Sequence, residues 1–208
     1  LTNSKNVKKI IDLGLHPFAD TFIKKRELKY SEPLYPLELI MCSNSGSIQT
    51  KFITKDYDRY NMYDYSYTSS NSKFSRKHWK NYCKEIMNKL SLNKKSQIIE
   101  IGSNDGFLLT QFKNKGYKVL GVDSSKYMQK LSLTKKIKTI CSIFNYKNSN
   151  KILNKFGKSD LVIANNVLNH SNNPKDFVKG AYNLLKDDGI FVFELPYWLT
   201  TIKTKKFD

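Results

Sequence analysis

Two carboxylates and a pair of glycines at fixed spacing hold the chemistry that this chain can do. The stretch Gln97-Ile98-Ile99-Glu100-Ile101-Gly102-Ser103-Asn104-Asp105-Gly106-Phe107-Leu108-Leu109 reads as a buried strand, a Gly-bearing turn and the opening of a helix. The run Lys118-Val119-Leu120-Gly121-Val122-Asp123 follows as a second strand that ends on an acid. A turn that lets backbone approach a ligand, then a carboxylate placed for ribose hydroxyls, is how a Rossmann-type sheet presents a nucleoside. Here the turn is Gly-x-Asn-x-Gly: Asn104 stands where a dinucleotide site has the glycine that admits a pyrophosphate. Glu100 adds an acid two residues before the first glycine. A nucleoside without phosphates and with a positively charged tail suits this pattern, which describes S-adenosylmethionine.

In an open parallel sheet, ligands bind beyond the carboxyl ends of the strands, so the candidate residues are those at such ends. The first end supplies Glu100, Gly102, Ser103, Asn104 and Gly106, and the second Asp123 with Ser124 beside it. Phe144, just past the third, is placed to cover an adenine ring, and the fourth supplies Asn165 and Asn166. Gly102 and Gly106 alone would fit any tight strand–helix turn; Glu100 and Asp123 at the proper spacing make the turn a binding site. His170 lies four residues past Asn166 in a polar segment at the cleft mouth. A single histidine is commonly a surface or capping residue, but beside a methyl donor an imidazole can take up a proton or polarise a carbonyl near neutral pH. His78, on the basic face of a predicted helix, and His16, in a Pro-containing turn, read as structural.

The elements needed to position these groups follow from periodicity. Residues 1–56 hold short β-like runs at 7–13, 37–41 and 47–52, punctuated by Pro17, Pro33, Pro36 and Gly46. They form a loop-rich unit with little core of its own. Residues 57–95 comprise a Tyr/Ser-rich segment around Tyr65-Ser66-Tyr67-Thr68-Ser69-Ser70, able to offer phenols over a cleft, and a helix from about Ser72. That helix carries an apolar stripe of Trp79, Cys83, Ile86, Met87 and Leu90. From residue 96 the pattern alternates. Strands are predicted at 97–102, 118–123, 137–140, 159–164 and 189–194, and helices at about 106–115, 124–133, 147–156 and 174–187. The fold class is α/β: a Rossmann-like sheet with helices on both faces, preceded by the small β-containing unit. The sheet reads as truncated, with another helix beginning near Phe207.

Composition narrows the partners. The net charge is +18 and 39% of residues are hydrophobic. Lysines are scattered through every segment, and Asn, Ile, Tyr and Phe are abundant, as expected of an AT-rich genome. Nucleic acid is therefore not the expected partner, although a positive field can steer a phosphorylated substrate. No apolar run approaches the ~20 residues of a membrane span. Cys42, Cys83 and Cys141 lie too far apart for a disulfide framework, which points to the cytoplasm. The opening at Leu1, without a leader, reads as an interior piece of a longer protein.

Several short motifs occur in one order along almost the whole chain. Together they resemble the sugar C-methyltransferases that methylate carbon 3 of nucleotide-linked 4-keto-6-deoxysugars. Ile11 to Gly14 with His16 to Asp20 resembles that family's "LDLG..PL.D.F" opening, and Leu37 to Cys42 with Gly46 to Gln49 its zinc-binding "L..C..CG..Q". Tyr65 to Ser70 resembles "YPY.SS", Glu100 to Gly106 "EIG.NDG", Asn165 to His170 "ANVL.H", and Phe193 to Tyr197 "FE.PY". The family holds zinc with two Cys-x-x-Cys pairs. Here the second pair has become Cys42-Ser43-Asn44-Ser45 and no first pair is present, so no metal is expected, since four-coordinate zinc needs four ligands.

The resemblance implies an S-adenosylmethionine-dependent methyltransferase acting on a small molecule, a nucleotide-linked sugar. A proton alpha to the ketone is removed and the enolate takes the sulfonium methyl, with Tyr65 and His170 around the sugar. The family's general base falls in a "Y.EH" motif shortly after the "FD" that ends this chain. Residues 1–208 alone are therefore expected to be inactive. The competing readings are a cofactor-binding relative without turnover and an NAD-dependent oxidoreductase, which Asn104 in place of the middle glycine argues against.

Overall fold

The computed structural model describes residues 4–19, 23–55 and 67–205, and the chain forms two compact units, Leu1–Tyr67 and Thr68–Asp208. The first unit is an antiparallel three-stranded sheet in the order β1 (Val7–His16), β2 (Tyr35–Cys42), β3 (Ile48–Thr50). β1 runs past the predicted 7–13 because it bends rather than ends. Its register against β2 shifts twice, and Gly14, at φ 81°, takes a backbone conformation closed to most side chains. Among the described residues of this unit only Glu38 and Cys42 are buried. The Glu38 carboxylate is paired with Lys51 Nζ at 3.0 Å through both oxygens.

The second unit opens with α1 (Lys73–Lys89) and then alternates: β4 (Gln97–Ile101), α2 (Phe107–Lys113), β5 (Lys118–Asp123), α3 (Lys126–Thr134), β6 (Thr139–Cys141), α4 (Tyr146–Phe156), β7 (Ser159–Asn165), α5 (Pro174–Leu184), β8 (Leu185–Glu194) and α6 (Trp198–Lys203). The strands form one parallel sheet in the order β6-β5-β4-β7-β8. Side chains set the helix starts. Ser72, Ser125, Asn145 and Asn173 each accept a backbone N–H from the first turn of α1, α3, α4 and α5, which gives an acceptor to donors that have no helical partner.

Several boundaries differ from the sequence reading. The strand predicted at 137–140 begins at Thr139, because the apolar Ile137 is buried in the lead-in, under α2 and α3. α5 stops at Leu184 rather than 187, and β8 starts at once. Leu185 pairs with Ser159 and Ile190 with Leu161, so Lys186 to Gly189 bulge out of register. Asp187-Asp188-Gly189, whose turn chemistry set the predicted helix end at 187, therefore forms a bulge instead. α2 is also shorter than the predicted 106–115.

Alternation along the strands sorts the core into two layers. Ile99, Ile101, Leu120, Val122, Val162 and Ala164 pack under α4 and α5 with Ile152, Phe177, Ala181 and Leu184. On the opposite face Ile98, Leu161 and Ile163 meet Cys83 and Ile86 of α1 and Leu108, Leu109 and Phe112 of α2. A period of two continues this second face to the strand ends: Ile98 leads to Glu100, Ile163 to Asn165, and Val192 to Glu194. The polar groups at the carboxyl edge thus sit on the side that α1 and α2 cover.

Candidate functional site

The turn after β4 is built for close approach. Gly102 (φ 71°) and Gly106 (φ 73°) both take left-handed conformations. A Cβ on Gly102 would stand 2.9 Å from Val167, and one on Gly106 would stand 3.1 Å from Ser132. Asn104 between them is also left-handed, at φ 50°, a region asparagine enters more readily than most residues. Its backbone N–H donates to Asp123 Oδ2 at 2.8 Å, and that of Ser125 to Oδ1 at 2.9 Å. Burial raises the Asp123 pKa despite these two donors. Each carboxylate oxygen keeps a second acceptor direction.

Glu100 is buried, and its Oε2 has no partner among the described residues. Burial first, then the charges of Asp105 and Asp123, push its pKa well above the ordinary carboxylate value. The Asn165 Nδ2 and the Ser103 Oγ are likewise buried and unpartnered among the described residues. The Ser103 side chain turns inward: its Oγ lies 2.5 Å from where a Cβ on Gly121 would be, so that glycine leaves it room.

Asp105, which the sequence reading passed over, welds the turn to the segment before α1. It accepts Ser69 Oγ at 2.5 Å, the Ser70 hydroxyl and Lys135 Nζ at 3.1 Å. Ser69 N–H donates to Asn104 Oδ1 at 2.8 Å. Burial works to raise the Asp105 pKa, but the two serine hydroxyls and the Lys135 charge outweigh it and hold the carboxyl below its usual value.

Helix α1 also reaches the edge, through two residues one turn apart. His78 Nε2 is 3.2 Å from Glu194 Oε2, and the Tyr82 phenol donates to Asn165 Oδ1 at 3.1 Å. His78, expected to be only structural on a basic face, thus stands at the ends of β7 and β8. The signal was present: positions 78 and 82 flank the apolar stripe at helical spacing.

The remaining candidates are dispersed. Asn166 (φ 52°) is exposed, and its N–H donates to Glu194 O at 2.7 Å. His170, exposed, ends a 3₁₀ turn, Leu168–His170, beyond β7. Ser124 follows Asp123, and its carbonyl lies 3.5 Å from Cys141 Sγ. The Phe144 ring, expected over an adenine, meets Phe177 edge-on at 5.0 Å and closes against Gly180. The half-buried ring thus packs in part beneath α5. Tyr65 lies outside the described residues. Cys42 is buried at the end of β2, and His16 Nε2 is 2.6 Å from the Leu13 carbonyl. Among the described residues no group of three or more His, Cys, Asp and Glu side chains is placed to hold a metal. No helix among them is long and apolar enough to cross a membrane.

Comparisons with known proteins agree with this architecture. The family model "Methyltransferase domain" matches residues 75–204, and a model described as "Putative zinc binding domain" matches residues 1–60. The C-methyltransferase NovU of Streptomyces niveus is 23% identical over 199 residues, which are 96% of this chain and 47% of that protein. The chain thus spans about half the length of this curated relative. Among solved structures, the plantazolicin methyltransferase BpumL, in complex with a pentazolic desmethylPZN analog and SAH, superposes with a TM-score of 0.51 at 14% identity. That match covers 66% of this chain and 54% of the other. A SAM-dependent methyltransferase from Thiobacillus denitrificans, in complex with S-adenosyl-L-homocysteine, gives a TM-score of 0.44 at 14% identity, over 60% of this chain and 54% of the other.

Proposed function

The chain belongs to the methyltransferase-domain family, and we propose that it binds S-adenosylmethionine and serves in methylating a carbon of a nucleotide-linked keto-deoxysugar. The observation that supports the cofactor most is the buried Glu100 oxygen, without a partner among the described residues, beside the Gly102–Gly106 turn and Asp123. The donor set fits the group. Asp123 offers two acceptors for vicinal ribose hydroxyls, and the turn offers backbone without a Cβ at Gly102 and Gly106. Glu100 offers an acid where an ammonium would relieve its isolation. A dinucleotide fits less well, because Asn104 closes the place where a pyrophosphate needs glycine.

When bound, S-adenosylmethionine supplies an electrophilic methyl on a sulfonium. This chain's residues bind and align it, and alignment next to a carbon nucleophile is itself a large part of catalysis. The sugar reading draws on the order of motifs along the chain and on the likeness to NovU. In it, Asn165 and Asn166 stay with the cofactor, and His170 lines the acceptor side with Tyr65 from the segment that leads into Ser69. His170 and Tyr65 hold or relay the proton that leaves the carbon alpha to the ketone. The net charge of +18 draws a diphosphate-bearing substrate toward the molecule.

The test incubates the full-length protein with S-adenosylmethionine and a nucleotide-linked 4-keto-6-deoxysugar, and reads the product by mass spectrometry and carbon NMR. A new carbon-bound methyl alpha to the ketone supports the reading. Methylation on oxygen or nitrogen alone, or none, overturns it.

A further inference from the structure

The Asn165 amide is held from one side. Its Oδ1 accepts the Tyr82 phenol at 3.1 Å, while its Nδ2 is buried without a partner among the described residues. A buried donor left unpaired is costly, so the arrangement is one that a ligand's acceptor completes. The phenol keeps its proton throughout the physiological range. Burial above all raises its pKa to about 12, the bond to Asn165 offsets part of this, and the charges of Glu100, Glu194 and Glu85 add to it. A phenol that always carries its proton needs an acceptor. The amide orientation with Oδ1 toward Tyr82 gives the phenol that acceptor and turns Nδ2 away from it.

The grip is rigid. Tyr82 packs edge-on against Trp79, with ring centroids 5.7 Å apart. One turn earlier His78 holds Glu194, the register partner of Asn165 on the neighbouring strand.

We propose that Tyr82 is a positioning residue of the cofactor pocket: it fixes the Asn165 amide so that Nδ2 donates to the carboxylate of the amino-acid tail of S-adenosylmethionine. This rests on the cofactor reading above and is independent of the sugar. The strand order supports it. Asp123, the ribose acceptor, ends β5, and Asn165 ends β7 with β4 between them. Two strand spacings are about 10 Å, which separates the nucleoside end of the ligand from the end of its tail. A zwitterionic tail needs an acidic acceptor and a donor close together. Glu100 acts on the Tyr82 phenol electrostatically, so the acid and the amide share one neighbourhood. An amide donates without adding a positive charge that would repel the ammonium and the sulfonium.

Titration calorimetry with two ligands tests this: S-adenosylhomocysteine, which has the tail, and 5′-methylthioadenosine, which has the same nucleoside and thioether but no amino-acid tail. Tyr82→Phe should weaken S-adenosylhomocysteine binding by about tenfold, the worth of one charge-assisted hydrogen bond, and leave methylthioadenosine unchanged. Asn165→Ala should reproduce this selective loss, and the double variant should lose no more than Asn165→Ala alone, as residues acting through one group do. Undiminished S-adenosylhomocysteine binding by Tyr82→Phe overturns the proposal. So does an equal loss for both ligands, which would make Tyr82 a support of the fold only. Should Tyr82→Phe misfold by circular dichroism, Asn165→Asp decides: it keeps the size, replaces the donor with an oxygen that repels a carboxylate, and should lose the homocysteine ligand selectively. A wild-type chain that binds neither ligand would remove the cofactor reading and this inference together, an outcome distinct from the selective failures.

Discussion

Asp123 Oδ2 accepts the backbone N–H of Asn104 at 2.8 Å, so the acid that ends β5 also fixes the turn that ends β4. One side chain thereby sets both halves of the proposed nucleoside site. Asp123→Ala should lower S-adenosylhomocysteine affinity at least tenfold, since hydrogen bonds from charged groups are worth roughly 1.5–3 kcal/mol each. Asp123→Asn keeps an acceptor for the Asn104 N–H and loses the charge, so its affinity should fall between the two. Calorimetry measures the affinities and circular dichroism confirms the fold; equal affinity across all three would refute the ribose assignment.

Asp105→Ala should destabilise the second unit by about 3–5 kcal/mol, the usual cost of breaking a buried charge pair from one side. Its side chain is 2% exposed and that of Lys135 28%, so solvent screens the pair little. The pH dependence has a definite sign. The folded pKa lies below the unfolded value of about 3.9. The contribution is therefore complete above the unfolded pKa and is lost as pH falls through the folded one. Urea unfolding of wild type and Asp105→Asn from pH 6 down to pH 2 should show the difference between them shrink in acid. A difference independent of pH would mean that the hydroxyls, not the charge, hold the clasp.

Glu100→Gln should do the opposite to stability. The folded pKa is raised, so the ligand-free wild type loses stability as pH climbs from the unfolded value, about 4.3, toward the folded one. A neutral glutamine avoids that loss. At pH 7 the ligand-free variant should melt higher, by about 2–4 °C for each kcal/mol recovered. The same change should weaken S-adenosylhomocysteine by at least tenfold, a stability–activity trade of the kind that functional sites show. In wild type, binding of the ammonium should release a proton, seen as a binding enthalpy that varies with the buffer. A lower melting point for Glu100→Gln would show that the carboxylate already has a stabilising partner.

Much of this site was legible because strand ends are encoded locally. The run from Ile98 to Gly106 states a buried strand, its last inward acid and the turn that follows, all within nine consecutive positions. The run to Asp123 does the same. What sequence periodicity did not reveal was pairing across distance. Asp105 with Ser69, Ser70 and Lys135, or His78 with Glu194, depends on which helix lies over which strand end, and lysine-rich helix faces look alike in composition. Phe144 shows another pairing that periodicity did not reveal. Its position after β6 suggested an open aromatic face, but Gly180 removes a side chain from α5 and the ring fills that space. The β8 boundary was misplaced for a related reason: Asp187-Asp188-Gly189 has turn chemistry, and a bulge uses the same residues as a helix end.

His170 provides the test on the acceptor side. It ends the 3₁₀ turn that leaves β7, five residues beyond Asn165, and neither its ring nor its backbone is called on to hold the nucleoside at Asp123. In the full-length protein, His170→Asn should lower turnover of the keto-sugar nucleotide by roughly 10²–10⁴-fold, the range of a general acid–base or polarising group. S-adenosylhomocysteine affinity should stay close to wild type. Tyr65→Phe should slow turnover less, because it removes one hydroxyl and keeps the ring. The two can be separated by deuterium exchange at the carbon alpha to the ketone, with S-adenosylhomocysteine in place of the donor. A His170→Asn variant that exchanges normally but does not methylate has lost alignment rather than proton transfer. One that neither exchanges nor methylates has lost proton handling. A variant as active as wild type would return His170 to the surface and leave the acceptor side to groups elsewhere in the protein.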